Sequence, residues 1–270
     1  MAARIFRLQS CDCQFDLHCD NDDISALVAD VFGALACKFV PRPTAHRAYH
    51  IKPSRDAGYV VSSKGQIVEL SDSAALLVHI DKSITIDLQH LRPDLLFVHG
   101  AVLARNGRAA IVSAPPGTGK STFTLAALHL GLEYLSDELA PIDLERLTVY
   151  SYPRAMHLKT PPPVPYSLPP GVLTHGSGYH VPVIPAVLPV EPARIAALIF
   201  LQRDRHTSEG LQPITPASGA TRLIANTLNL LAHPATGIDA AAKLSRAVTC
   251  FELDATNLAA ASNAVLTALR

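Results

Sequence analysis

Charge is scarce in this sequence: Asp, Glu, Lys and Arg make up 17% of its 270 residues, against 49% apolar residues. That ratio excludes an intrinsically disordered chain, which lacks the apolar surface needed to offset the entropy of ordering. Net charge is missing too, because Lys+Arg and Asp+Glu both number 23. No basic cluster interrupts the balance, so neither nucleic acid nor an anionic membrane surface is an expected partner. No run approaches the roughly 20 apolar residues of a membrane span. The opening Met1-Ala-Ala-Arg-Ile-Phe-Arg breaks at once into polar sequence and lacks the apolar centre of a signal peptide. Cysteines number five, four of them in the first 37 residues. Cys11, Cys13 and Cys19, with His18 beside them, have the spacing C-x-C-x5-C, which matches no common zinc pattern and lacks a second ligand pair. Reduced, partly buried thiols in a cytoplasmic protein are expected instead. No internal repeat is visible.

What is present is enough apolar sequence for one large domain, or a main domain with a smaller companion. Residues 1–90 read as a small α+β domain. Strand-like runs at 3–8, 58–61, 66–70 and 83–88 accompany a helical stretch at 23–37. Asp22 or Asp23 is the expected cap of that helix, and Ile24, Leu27, Val28, Val31 and Leu35 fall on one face. No residue in this part carries recognisable chemistry. Residues 91–270 are read as the catalytic domain. Its apolar, β-prone runs at 95–104 and 108–113 are separated by Asn106-Gly107, a pair suited to a tight type I′ hairpin.

The second run leads into Ala114-Pro-Pro-Gly-Thr-Gly-Lys-Ser121, and helical spacing follows over 122–130. Strand, glycine loop and helix are the context a phosphate-binding loop requires. Ala114 stands where glycine is usual, a tolerated variation. Gly117 and Gly119 let the backbone turn tightly, so that the loop from Pro116 through Thr118 and Gly119 to Thr122 surrounds a phosphate, with several of its N–H groups, none of them from Pro116, pointing inward. The helix start adds its positive end. Lys120 is expected to reach the β- and γ-phosphates of ATP or another nucleoside triphosphate, and the Ser121 hydroxyl to ligate Mg²⁺.

A strand at 132–136 ends in Asp137-Glu138, 17 positions after Lys120. This short spacing predicts a strand next to the loop's own strand, with the carboxylate near the γ-phosphate. Asp137 is the candidate base that accepts a proton from an acceptor hydroxyl, with Glu138 assisting at Mg²⁺. His99 interrupts an otherwise apolar strand, where a lone histidine is more often a satisfied core residue than a catalytic one. Two short strands are expected at 139–142 and 147–151. The proline-rich stretch 161–185 is either a lid hinged at Gly176 and Gly178 or a plain surface excursion. Strands at 195–201 and 248–253 and helices at 217–231 and 257–269 complete the reading.

His99-Gly-Ala-Val-Leu-Ala, Asn106-Gly-Arg, the loop 113–121 and Tyr134-Leu-Ser-Asp-Glu-Leu-Ala140 together resemble the catalytic core of HPr kinase/phosphorylase. The likeness is nearest to the HPr-kinase-like relatives, in which Tyr152-Pro-Arg-Ala-Met-His-Leu-Lys159 also finds a counterpart. It covers roughly residues 95–160, with a weaker echo at 196–203. The resemblance implies an α/β fold with a P-loop kinase core of the HPr kinase/phosphoenolpyruvate carboxykinase type and a small N-terminal α+β unit. It places His99 near the phosphates and makes Asp137 the general base, with Glu138 where a second aspartate is usual. Arg154 and Lys159 are candidate phosphate or substrate contacts. The Gly-rich signature tied to phosphorylase activity is missing, since Thr160-Pro-Pro-Pro-Val-Pro-Tyr stands in its place. Some of the relatives act in maturing ribosomally made peptides, including phosphorylation of a lasso-peptide precursor, so the resemblance implies as acceptor a serine hydroxyl on a peptide or small protein rather than the phosphocarrier protein. The resemblance also implies a homo-oligomer.

Two other readings stay open from the residues. Small-molecule kinases of the sugar or shikimate type carry an aspartate after the P-loop helix. They also have an Arg-rich lid, whereas Gln202-Arg-Asp-Arg205 follows a buried strand. A nucleotide-binding switch without phosphotransfer would not need Lys120, Ser121 and Asp137 together. No S-G-G-Q signature of an ABC-type ATPase is present; Ser218-Gly-Ala-Thr is a poor imitation.

Overall fold

The computed structural model describes residues 4–36, 43–55, 57–175, 178–182, 191–203, 210–232 and 237–270. These form a mixed α/β chain with five-, nine- and three-stranded sheets. In chain order it begins β1 (Arg4–Ser10), β2 (Cys13–Cys19), α1 (Asp22–Phe32), β3 (Ala45–Pro53), β4 (Tyr59–Ser63), β5 (Gln66–Leu70) and α2 (Ser73–Leu91). Next come β6 (Leu96–His99), β7 (Ala101–Arg105), β8 (Arg108–Ser113), α3 (Lys120–His129), β9 (Glu133–Ser136), β10 (Leu139–Asp143) and β11 (Thr148–Val149). Then follow β12 (Met156–Leu158), β13 (Leu173–His175), β14 (Gly178–Val181), β15 (Ala193–Gln202) and β16 (Leu211–Pro213). The chain closes with α4 (Pro216–Ala225), α5 (Gly237–Ala247), β17 (Thr249–Asp254) and α6 (Leu258–Ala268).

Two compact units are present. The first takes the described residues of Met1–Arg92, Arg154–Pro161 and Leu168–Val183; the second takes those of Pro93–Pro153, Pro162–Ser167 and Ile184–Arg270. A division into 1–90 and 91–270 would leave 154–161 and 168–183 with the longer part. Their contacts place them in the first unit instead. The Ala155 amide donates to Val31 O of α1 at 2.7 Å, and Arg154 Nε lies 3.1 Å from Asp81 Oδ1 of α2.

In the first unit the strand order is β1-β2-β3-β4-β5, antiparallel except for β2 and β3, which run parallel with α1 as the crossover between them. Asn21, rather than Asp22 or Asp23, caps α1: its side chain accepts from Ile24 N at 2.9 Å. The two aspartates occupy the first turn, where negative charge complements the helix dipole. The expected strand at 83–88 is instead the second half of α2. Asp72 caps this helix, and Leu76, Ile80, Ile84 and Leu88 recur four apart on its buried side. Read alone, Ser83-Ile-Thr-Ile-Asp-Leu also alternates like a strand; only the longer window separates the two periods. β2 was not expected, yet Cys13, Phe15, Leu17 and Cys19 alternate inward along it. The three-stranded sheet β12-β14-β13 takes up part of the proline-rich stretch. Gly178 is a strand residue of β14, where a Cβ would collide with the His157 ring, so close packing rather than a hinge requires glycine there. Gly176 lies outside the described residues.

The second unit is built on a nine-stranded sheet. Its path is β6-β10-β11-β15-β8-β7-β9, with β17 joined to β15 and β16 to β17. β8, β15 and β17 run parallel at its centre. Residues 95–104 form two strands rather than one. The break falls at Gly100, where a Cβ would lie 3.0 Å from Val112 O. Asn106 and Gly107 turn the β7–β8 hairpin with φ of 52° and 75°, as a type I′ turn demands. Side chains alternate across the sheet into two cores. Ile111, Leu198, Phe200, Leu223 and Leu244 share one, so α4 and α5 cover that face. Val112, Phe123, Ile199, Leu201, Leu253 and Val265 share the other, under α3 and α6. The helix expected at 217–231 ends at Ala225, and α5 was not anticipated. Among the described residues, no helix is long and apolar enough to cross a membrane.

Cys11, Cys13, Cys19 and Cys250 are buried free thiols; Cys37 lies outside the described residues. Burial pushes the Cys11 thiol up to about 12 and that of Cys19 to about 11. Because the thiolate is both the nucleophile and the metal ligand, these four cysteines are expected to resist iodoacetamide in the native protein at mildly alkaline pH. Peptide mapping by mass spectrometry should find them modified only after denaturant is added. Labelling of Cys11 or Cys19 in the native chain would contradict the packing described.

Candidate functional site

The site begins where β8 stops. After Ser113 the chain turns through the loop to Gly119 and enters α3 at Lys120. Gly117 and Gly119 have φ of 83° and 95°, values that strain any residue with a Cβ. The Thr118 hydroxyl donates to Pro115 O at 2.8 Å and its amide to the same oxygen at 3.2 Å, closing the turn. The loop crest, Pro115 to Gly117, is exposed, whereas Lys120 is buried. Ser121 and Thr122 stand partly exposed in the first turn of α3.

β9 does not neighbour the loop's strand, contrary to the expectation from its short spacing. It pairs antiparallel with β7, and β7 lies between it and β8. Asp137 nevertheless reaches the start of α3. The Lys120 ammonium donates to Asp137 O and stands 3.5 Å from its Oδ1. The Thr124 hydroxyl, one helical turn after Lys120, lies 3.1 Å from the same Oδ1 and 2.9 Å from Lys120 O. Lysine, threonine and carboxylate are all buried, so this is a charge pair complemented by hydrogen bonds rather than a surface ion pair. The turn after Asp137 is held by Ser136, whose Oγ accepts from Glu138 N at 3.2 Å and Leu139 N at 3.0 Å.

His99, at the end of β6, is directly opposite Leu139 of β10. Its Nδ1 is 3.2 Å from Glu138 Oε1, and its carbonyl accepts from the Ser113 hydroxyl at 3.2 Å. The Gly100 amide donates to Glu138 O at 3.2 Å. The break at Gly100 thus ties His99, Glu138 and the end of β8 into one corner. Lys120, Asp137, Glu138 and His99, taken separately from sequence, are brought together around the loop.

Arg203 also belongs to this corner. β15 runs parallel to β8 with Phe200 opposite Ser113, so the chain beyond Phe200 advances beside the loop. The Arg203 guanidinium closes on Gly119, with Nη2 2.8 Å from where a Cβ would sit. Sequence reasoning noted Arg203 only as a poor lid residue, because nothing local reveals which strand lies beside β8. Thr124 carried a signal that was missed: four residues after Lys120, it shares that residue's helix face. Arg154 and Lys159 belong to the first unit. Arg154 is buried there against Asp81 and donates to Ala155 O at 3.1 Å, and Lys159 is exposed beyond β12.

No family model and no curated protein matches the chain. Among solved structures, the chain is similar to the HPr(Ser) kinase/phosphatase from Coxiella burnetii, at 12% identity and a TM-score of 0.34, covering 63% of this chain and 94% of that one.

The buried hydroxyl of Thr124 is expected to matter for stability as well as geometry. Thr124→Val keeps the shape and removes a hydrogen bond to a buried carboxylate, so it should cost about 1–3 kcal/mol. Thr124→Ser should recover most of that loss. Urea unfolding of the three proteins checks this; a Val variant as stable as the parent would mean that Asp137 does not depend on Thr124.

Proposed function

We propose that this chain is an ATP-dependent phosphotransferase that moves the terminal phosphoryl group to a serine hydroxyl on a peptide or small protein. The observation that carries the reading is the contact between Lys120 and Asp137. A cation at the mouth of a glycine loop is held against a carboxylate from a separate strand. Phosphoryl transfer to a hydroxyl needs these two groups side by side, positive charge for the polyphosphate and a proton acceptor for the nucleophile.

The loop amides and the start of α3 suit the phosphate oxygens, with the glycine φ angles aiming the backbone inward. An ammonium carries three donors, and two of those on Lys120 are directed at Asp137. The remaining one is available to a phosphate. Among the described residues, both side-chain contacts on Asp137 fall on Oδ1, leaving Oδ2 to take the proton of the acceptor hydroxyl. As that oxygen bonds to the γ-phosphorus, the bond from phosphorus to the bridging oxygen breaks and its electron pair leaves with the nucleoside diphosphate. Arg203, over Gly119, offers a second cation to the phosphates.

Ser121 and Glu138 provide hard oxygen donors, a set that suits Mg²⁺, since this ion needs only one or two protein oxygens beside phosphates and water. When bound, Mg²⁺ neutralises charge developing on the transferring group. The Glu138 carboxylate is oriented for this by His99. The serine acceptor is supported by the motifs shared with HPr-kinase-like proteins. A ribosomally made precursor peptide is the acceptor class those motifs favour.

With Mg²⁺ and radiolabelled ATP, transfer to an arrayed library of serine peptides should be detectable, beside slow hydrolysis in their absence. Asp137→Asn should reduce transfer by about 10²–10⁴-fold while calorimetry shows nucleotide affinity largely kept. Lys120→Ala should instead weaken nucleotide binding itself. Normal transfer by Asp137→Asn would remove the base assignment, and absence of nucleotide binding by the parent chain would remove the whole reading.

A further inference from the structure

The first unit contains an interrupted sheet edge with a cationic lining. β2 runs beside β3 along its length, from Cys13 opposite Ala45 to Cys19 opposite Ile51. On the other side β4 pairs with β3 only at residues 50–53. The chain then reverses through Lys64 and Gly65, with φ of 53° and 73°, and returns as β5. Among the described residues, 45–49 of β3 thus have a strand neighbour on one side alone. Side chains occupy carbonyls along this stretch: Ser63 Oγ donates to Ala48 O at 2.8 Å, and Arg47 Nη1 to His46 O at 3.3 Å.

Beyond the end of the β4–β5 hairpin lies an open groove of about 540 Å³, lined by His46, Arg47, His50, Ser63, Lys64 and Gln66 among others, and by no carboxylate. Arg47 and Lys64 lean on one carboxylate behind the groove, Asp87 of α2. Asp87 already accepts from the Tyr49 hydroxyl at 2.6 Å and from the Lys64 ammonium. Arg47 Nε is left at 3.8 Å, too far for a hydrogen bond, and is a buried donor with no hydrogen-bond acceptor among the described residues. Asp16, the neighbouring carboxylate, is taken by Arg7 at 2.9 Å and His46 at 3.2 Å. Hydrogen bonds from Arg7, Gln14 and His46 outweigh its burial and hold its carboxyl below the ordinary value. Three permanent cations, Arg7, Arg47 and Lys64, therefore face two carboxylates, before any histidine charge is counted.

We propose that this groove binds an extended acidic peptide, which adds as a strand to residues 45–49 of β3 and places alternate carboxylates on the face that carries Arg47 and Lys64. Strand addition takes affinity from backbone hydrogen bonds and specificity from every second side chain. Lysine at a sheet edge also guards against unwanted pairing. Guarding requires neither a groove without acids nor a guanidinium short of acceptors. Nucleic acid fits less well, because no Phe, Tyr or Trp lines the groove, the His50 ring is already stacked on His18 at 4.4 Å, and the chain carries no net positive charge. The proposal concerns the first unit alone and is independent of phosphotransfer.

Fluorescence anisotropy with the full chain tests it, using a labelled Val-Glu repeat peptide at low salt. Saturable binding is expected. His50→Glu with Gln66→Glu puts two carboxylates on exposed positions that leave Asp87 untouched, and should weaken binding about tenfold or more, as charge reversal at a complementary surface does. Circular dichroism confirms that this variant is folded. A Val-Glu peptide with alternate backbone amides methylated should lose binding to the unaltered protein, and a Val-Lys repeat should not bind. The proposal is overturned by no saturable binding, by equal binding of the Val-Lys or methylated peptide, by undiminished affinity of the variant, or by tighter binding of an oligouridylate.

Discussion

The buried contact between Lys120 and Asp137 is the constraint around which the second unit is arranged. An ammonium and a carboxylate removed from water are costly unless their hydrogen bonds are nearly complete. Here each is served by a neighbour that serves both. Thr124 lies against Asp137 Oδ1 and the Lys120 carbonyl, and the Asp137 carbonyl receives the ammonium directly. Ser136 holds the following turn by accepting two amides. The pair thereby fixes where β9 must end relative to the start of α3, although β9 is separated by β7 from β8, the strand that leads into that helix.

The sheet makes that fixed point useful. β8 and β15 run parallel, so their C-terminal ends open onto the same edge, where ligands of open α/β sheets characteristically bind. Small residues dominate the strands that carry the loop, with Ala101, Ala104, Ala109 and Ala110 fully buried. Helices can therefore approach both faces closely, and the loop is anchored by packing below it while its crest stays exposed. Gly100 and Gly119 are the two places where a side chain would intrude, the first against the backbone of β8 and the second against Arg203. Both sit in the corner that holds His99, Glu138 and Lys120.

The first unit handles its charges differently. Asp16 and Asp87 each gather more than one donor, and the cations around them outnumber the acids. A shared carboxylate in a partly buried setting cannot satisfy every donor directed at it, as Arg47 Nε shows. The surplus lies at the stretch of β3 that has no second strand neighbour among the described residues, so an unsatisfied guanidinium nitrogen and an open sheet edge coincide.

Features governed by a few consecutive residues could be read without the fold. The glycine angles of the loop, the start of α3 at Lys120, the turn at Asn106-Gly107 and the inward face of α1 all follow from local sterics and from the 3.6-residue period. Asp137 was singled out by its short spacing from Lys120, but the arrangement that spacing suggested, β9 beside β8, is not the one formed. Where two periods fit one window, as at residues 83–88, the local signal failed and α2 was decided by burial of Ile80, Ile84 and Leu88. Choices between distant partners left no local trace. The insertion of β7 between β8 and β9, the capture of residues 154–161 by α1 and α2, and the arrival of Arg203 over Gly119 depend on which strands and helices pack together. Those pairings minimise the exposed apolar surface of the whole chain, a sum to which every residue contributes and which no short stretch encodes.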